Sequence, residues 1–475
     1  MRRPWSLRAL RWWGVVASTL VALTGYLAGS PDKHDAAWIA GVALWAVAAG
    51  ALVWLWLGLR AHEPSWRWLL VTGALWALPF LLAPPLGSHD IYAYACQGQL
   101  FNAGYDLYRV GPDTLPCTWL DHVPPLWHST PTPYGPLWIA IEGAAAKFAG
   151  TSLILVVTAL RLFAIAATLL GVAGGVRLAE RCGGDPGRFV HLAAISPLIM
   201  VHVVSGAHND ELLAALVLGS LAIAATGPDR LGLRTTLTGI GFGLAAGVKV
   251  TALVAAPFAV LLLARGRARM TALAGAATVA VIALTYLVLA ELTGHGLGFL
   301  HALSSTSDLV QWLSLPTGVG MAVGYALRVA GVGSFGAAVA VARAIGFIVL
   351  AVLLVVLWWR ALRRVRSSGE SATADVVTAA GLALLATAVL GPVFYAWYAI
   401  GGLAVLAATP LAGRLRTAVT AAAGGLIFLT LPDSLGLATK TKVPGALFDV
   451  ALLVTLAVRG ARRRARARLL GPTAE

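Results

Sequence analysis

The segment Ser88-His89-Asp90-Ile91-Tyr92-Ala93-Tyr94 sets a carboxylate and an imidazole beside two phenols. An apolar stretch ends just before it, so it stands where a chain would leave a membrane. A carboxylate at the mouth of a membrane cavity can take a proton from an acceptor hydroxyl, and partial burial raises its pKa toward the working pH. His89 can do the same job or orient Asp90. The plain structural alternative is that Asp90 caps a helix lying on the membrane interface, with Tyr92 and Tyr94 as interfacial anchors. The polar residues continue through Gln97, Gly98, Asn102, Asp106 and Arg109.

Four further sets carry chemistry. Thr130-Pro131-Thr132-Pro133-Tyr134-Gly135-Pro136 cannot form a regular helix, because its prolines fix a turn ahead of a helix over 137–148. The turn is either a rigid anchor or, through Tyr134, a wall of a sugar pocket. His208-Asn209-Asp210-Glu211 lies between two apolar runs. Asn209 or Asp210 can cap the following helix, and the four side chains suit hydrogen bonding to a sugar or acceptor. A metal site needs three or four converging ligands, and no metal is expected here. Arg161, Lys249, Arg343 and Arg328 sit at or near membrane depth, where a cation is costly and marks function by default. A lipid phosphate is their natural partner, with snorkelling or an internal ion pair as the alternative. Ser304–Thr317, with Gln311 and Trp312, and Pro392–Tyr398, with Trp397 and Tyr398, place aromatic faces where spans begin. Those rings are membrane-belt residues or the lining of sugar and prenyl sites.

The elements that hold these sets follow from composition. In 475 residues, 59% are hydrophobic and 12% charged, against about 25% charged in soluble proteins, and mean hydropathy is +0.81. Such a chain cannot cover a water-facing surface, which excludes disorder, collagen and a secreted disulfide scaffold. The three cysteines form no metal spacing, and Cys96 and Cys117 can bridge if their loop faces an oxidising side. The net charge of +15 is dispersed in short arginine clusters beside apolar runs, the pattern of cytoplasmic loops. Nucleic-acid binding is the weaker reading, since no basic domain carries it.

At about 20 apolar residues per span, candidates are 12–29, 36–59, 67–86, 152–176, 189–204, 209–226, 270–292, 336–358, 374–391, 396–412, 416–431 and 444–459. The first is read as a retained helix with its N-terminus in the cytoplasm. Residues 237–263 form either two short helices turning near Lys249 or a surface-parallel pair, and 318–332 a re-entrant or surface helix. The expectation is an all-α polytopic membrane protein with about 12–14 crossings and both termini in the cytoplasm. It is one domain over 1–475, with long outer loops at 87–150 and 293–335 and a basic tail over 459–475. Most acids then fall on the outer side, which suits a one-sided active site.

The ordered set HDIYAYACQGQLFNAGYDLYRVGP (89–112), TPTPYGPLW (130–138), GAHNDELLAALVLGSLAIA (206–224), QWLSLPTGVG (311–320) and PVFYAWY (392–398) resembles the actinobacterial polyprenyl-phosphate-mannose-dependent alpha-1,6-mannosyltransferases of the MptA/MptB type. Each motif alone is weak; the ordered set covers most of the chain. The resemblance implies the GT-C class of multispanning glycosyltransferases, in a plasma membrane with an extracytoplasmic active site. It implies a polyprenyl-phosphate mannose donor, a lipid-anchored mannan acceptor and no separate cofactor. It also implies an acidic catalytic base in the first long outer loop, which by position is Asp90. In many enzymes of that class this loop follows the first span; here it follows the third. The alternatives are a secondary transporter, which predicts midplane acids and symmetric halves, a non-catalytic envelope subunit, and a transferase for another prenyl-phosphate sugar.

Overall fold

Side chains just ahead of the apolar runs start the first helices. Ser6, Asp35, Ser65 and Ser152 each accept a backbone N–H and cap α1 (Leu7–Ala28), α2 (Ala36–Leu59), α3 (Trp66–Leu82) and a later long helix. These bonds satisfy donors that a helix N-terminus otherwise leaves open. The computed structural model describes residues 5–30, 35–227, 229–299, 309–434 and 436–469. Asp32, Asp308, the start of the Ser304–Thr317 segment and the last residues of the basic tail lie outside them.

After α3 come α4 (Asp90–Asn102), α5 (Pro136–Ala149) and α6 (Leu153–Arg181). The short α7 (Pro186–Ala193) precedes α8 (Asp210–Ala224), α9 (Leu231–Ala246), α10 (Ala256–Ala264) and α11 (Ala268–Thr293). The C-terminal part holds α12 (Leu315–Val329), α13 (Phe335–Ser368), α14 (Thr373–Leu390), α15 (Ile400–Ala407), α16 (Gly413–Gly425) and α17 (Lys442–Leu469). Among the described residues the only β pairing is an isolated bridge between Thr430 and Gly436. The protein is thus all-α and has the apolar helices of a polytopic membrane protein.

Six described helices are long and apolar enough to cross a bilayer, or seven if Ile199–Ser205 and α8 count as one span bent by 106°. The expected 12–14 crossings are met outright only to that extent. Several apolar runs instead fold as short or broken helices packed on neighbours. The run 189–204 is α7, an interruption and the π-helical turn Ile199–Ser205. The run 396–412 is a 3₁₀ turn followed by the eight-residue α15. Of the two options for 237–263, the paired short helices are found, with α9 ending at Ala246 and a new 3₁₀ turn starting at Val250. Helix α12 is not isolated on a surface; it packs along α13 and α17.

The helix expected after Ser88 is present, and it is largely covered by protein. Ten of the thirteen residues of α4 are buried, because α4 lies against α5. The approach is close: a Cβ on Gly98 would collide with the Glu142 carbonyl of α5, so only glycine permits this crossing.

The arginine clusters meet at the bundle end away from α4. Arg11 donates to Thr72 and to the Trp68 carbonyl, Arg188 to the Thr409 carbonyl and Arg366 to the Gly266 carbonyl. The motif segments gather at the other end.

Candidate active site

Which atom caps α4 decides what Asp90 is free to do. Asp90 is the first helical residue, His89 occupies the N-cap position without a capping bond, and Asp90 N–H donates to Ser88 Oγ at 3.0 Å. The carboxylate is therefore free of capping duty, and its Oδ1 accepts from Trp127 Nε1 at 2.9 Å. Asp90 is only 7% exposed. Burial pushes its pKa up to about 6, against the opposing pull of the Ser88 and Trp127 hydrogen bonds and the Lys249 charge. His89 goes the other way, to about 4, through burial and the neighbouring His122. At neutral pH Asp90 is mostly ionised yet far more basic than an ordinary carboxylate, and His89 is the weaker base.

Lys249 stands in the break between α9 and the turn at Val250. The proline-rich turn docks there by backbone: Gly135 N–H donates to the Val248 carbonyl at 3.0 Å and Trp138 N–H to the Gly247 carbonyl at 3.2 Å. Lys249 Nζ lies 2.9 and 3.0 Å from the two Asp210 carboxylate oxygens. It also sits over the rings of Tyr398, at 4.3 Å, and Tyr134, at 5.6 Å. A buried ammonium needs such a partner, and the aromatic faces add cation–π attraction.

A network of rings backs the site. Tyr94 Oη is 3.3 Å from Tyr134 Oη and 3.4 Å from His208 Nδ1. The His208 ring stacks on Trp397 with centroids 3.9 Å apart, and Tyr395 stacks on Trp397's ring at 4.6 Å. The bend ahead of α8 aims His208 here, and it holds Ala207 at φ +52°, a backbone strain of the kind that clusters at functional sites.

Asp90, Tyr94, Gln97, Tyr134, Lys249 and Tyr398 share one cavity of about 350 Å³ with apolar Phe347, Leu350 and Val393. Phe347 is also 50% exposed on the outside of the bundle, so the cavity reaches the lipid-facing surface along α13. Gln97 Oε1 and His208 Nε2 are buried without partners among the described residues, and Gln97 lies on the cavity wall. The arrangement joins a base, a cation and open hydrogen-bonding atoms to an apolar flank.

Other sequence candidates lie elsewhere. Arg161 binds the carbonyls of Ser205, Leu81 and Ala83 and ties α6 to the end of α3. Arg343 donates to Thr317 Oγ1 and to the Leu309 and Pro392 carbonyls. Arg328 lies over Phe335, and Arg109 pairs at the surface with Asp106. Gln311 donates to the Phe394 carbonyl and Trp312 to Thr441. Tyr92 packs between His89 and His122. Asn209 is buried at the N-cap position of α8 with no side-chain capping bond, its amide atoms unpartnered among the described residues.

Trp127 is the site residue that sequence reasoning passed over, since a lone tryptophan in an irregular loop carries no periodic signal. The loop is tied down by the Cys96–Cys117 disulfide, 21 residues apart, which joins its first part to α4.

Residues 11–265 match the family described as alpha-(1->6)-mannopyranosyltransferase, N-terminal domain, and residues 316–459 match the MptB C-terminal domain. Alpha-(1->6)-mannopyranosyltransferase A of Mycobacterium tuberculosis is 30% identical over 86% of this chain and 81% of its own length. A probable alpha-(1->6)-mannopyranosyltransferase of Mycolicibacterium smegmatis is 30% identical over 85% of this chain and 79% of its own. Alpha-(1->6)-mannopyranosyltransferase B of Corynebacterium glutamicum is 30% identical over 81% and 66%. No solved structure matches.

Proposed function

Because the chain belongs to the alpha-(1->6)-mannopyranosyltransferase family, we propose that it moves mannose from polyprenyl-phosphate mannose to a lipid-anchored mannan acceptor, with Asp90 as general base. The reaction is a single displacement. Asp90 takes the proton of the acceptor hydroxyl, that oxygen attacks the anomeric carbon, and the lipid phosphate departs with the bonding pair. Lys249, fixed by Asp210 and Tyr398, offsets the charge growing on the leaving phosphate. A monophosphate leaving group met by a fixed ammonium needs no metal ion in this scheme. One displacement inverts the anomeric centre, so a β-linked donor gives an α product.

The observation that carries the reading is the shared cavity. It places a buried carboxylate of raised pKa and an ammonium on one wall and reaches the half-exposed Phe347 on the lipid-facing side. A prenyl chain can lie along that apolar flank while the sugar meets Gln97 and the tyrosines. Gathering of arginines at the opposite end supports an extracytoplasmic site in the plasma membrane and cytoplasmic termini.

The test is Asp90→Asn, assayed in membranes with labelled polyprenyl-phosphate mannose and a mannan acceptor. Ser88 still caps α4, and asparagine still accepts from Trp127, so fold and donor binding persist. Transfer falls by about 10²–10⁴-fold, the usual worth of general-base catalysis. Transfer within a few-fold of the parent would remove Asp90 from the mechanism.

A further inference from the structure

At the bundle end opposite Asp90, a second cavity of about 320 Å³ opens between the end of α2, the start of α3, α7 and α16. Its wall carries Arg60, Arg188 and Arg416 beside the apolar Leu59, Leu69 and Leu192. Three guanidiniums on one cavity repel each other: Arg416 stands within electrostatic range of Arg188, and both Arg60 and Arg416 within range of the buried His191. Two acids on the wall, Asp185 and Glu63, offset them only in part: Asp185 stands within electrostatic range of Arg188, yet three arginines face two carboxylates. Asp185 accepts from the Arg188 backbone N–H as the cap of α7. Among the described residues, neither Asp185 nor Glu63 forms an ion pair with the three arginines. Arg188 sends one nitrogen to the Thr409 carbonyl at 3.0 Å, but its Nε is buried with no partner. Arg188 is half-buried, and its open Nε donor can meet an anion that enters the cavity. The volume lies in the usual range of small-ligand pockets.

We propose that this cavity binds a phosphate-ester anion, gripped by Arg60, Arg188 and Arg416. Guanidinium forks match phosphate oxygens in geometry as well as charge. Two sources present that chemistry at this end of the bundle: the headgroup of an anionic phospholipid, and a soluble phosphate. The leucines on the wall suit the first.

The experiment uses the full chain and reads its thermal midpoint. One arm adds inorganic phosphate against chloride at matched ionic strength. The other compares vesicles of phosphatidylcholine alone with vesicles containing phosphatidylglycerol. The parent midpoint rises in at least one arm. Arg60→Gln with Arg416→Gln weakens the apparent affinity about tenfold or more, the loss expected from one charge-assisted contact. Both arginines lack side-chain partners among the described residues, so this variant keeps its fold. A control of equal charge loss, Arg363→Gln with Arg459→Gln on exposed positions, keeps the parent's response. A rise with phosphate alone identifies a soluble ligand, and a rise only with phosphatidylglycerol identifies the lipid. No rise in either arm, an undiminished rise in the double variant, or an equal loss in the control overturns the proposal. None of these readouts depends on mannosyl transfer.

Discussion

Replacing Trp127 by phenylalanine keeps a ring in the loop and removes one N–H, the donor that meets Asp90 Oδ1 at 2.9 Å. That bond favours the ionised carboxylate, so its loss raises the Asp90 pKa. Hydrogen bonds to charged groups are worth about 1.5–3 kcal/mol, and one pKa unit corresponds to about 1.36 kcal/mol. Asp90 is 7% exposed, so water replaces the lost donor poorly, while the Lys249 charge still favours ionisation. A rise of about one unit follows, at the low end of that range. The base acts only when deprotonated. The acid limb of kcat/KM therefore lies near the parent value of about 6 and moves toward about 7 in the variant. Half the parent is active at the pH of its own limb, and about a tenth of the variant is active there, so the rates differ about fivefold at that pH. Two units higher they converge. The assay is a pH series of initial rates at low substrate, where the free enzyme's groups are reported. Neither the acceptor hydroxyl nor the phosphodiester of the donor titrates in this range. An unmoved acid limb would refute the reasoning, as would a loss equal at every pH, which belongs to packing alone.

Lys249→Met leaves the Asp210 carboxylate buried without its ammonium. It should cost about 3–5 kcal/mol, read as a lowered thermal midpoint. Adding Asp210→Asn recovers most of that stability but not turnover, provided that Lys249 also serves the leaving phosphate; recovery of both would confine the pair to a structural role. Converting both Cys96 and Cys117 to serine frees the loop ahead of Trp127 and destabilises the protein by about 3 kcal/mol, as expected for a loop of this length. Turnover falls along with it, and a variant equal to the parent in midpoint and rate would show that the bridge holds nothing in place. Cys182 is buried and the other two cysteines are bridged, so a single introduced thiol is the reactive one. Thr114→Cys is labelled from outside intact cells and Ser367→Cys only after permeabilisation. The reverse pattern would put the Asp90 cavity in the cytoplasm.

The chain's apolar composition alone determined that it is a helical membrane protein, because 12% charged residues cannot solvate a surface. The sequence also pointed to the segments that form the site, since polar and aromatic residues next to apolar runs are costly to keep without a role. It singled out Asp90 as a candidate but not the environment of its carboxylate. Whether that carboxylate caps α4 turned on Ser88, two residues away, and on Trp127, 37 residues on. Arg161 and Lys249 looked alike as cations at membrane depth. Folding gave Arg161 three backbone carbonyls, two at the end of α3 and one at the helix break by Ser205, and gave Lys249 an acid and a place on the cavity wall. Which apolar runs form long straight helices was also left to folding: apolarity marks burial, and a short helix covered by neighbours is as apolar as one that meets lipid. Partners distant in sequence leave no periodic trace along the chain. Pairings such as Lys249–Asp210, Cys96–Cys117 and Trp127–Asp90 are fixed only when close helix packing brings their backbones together.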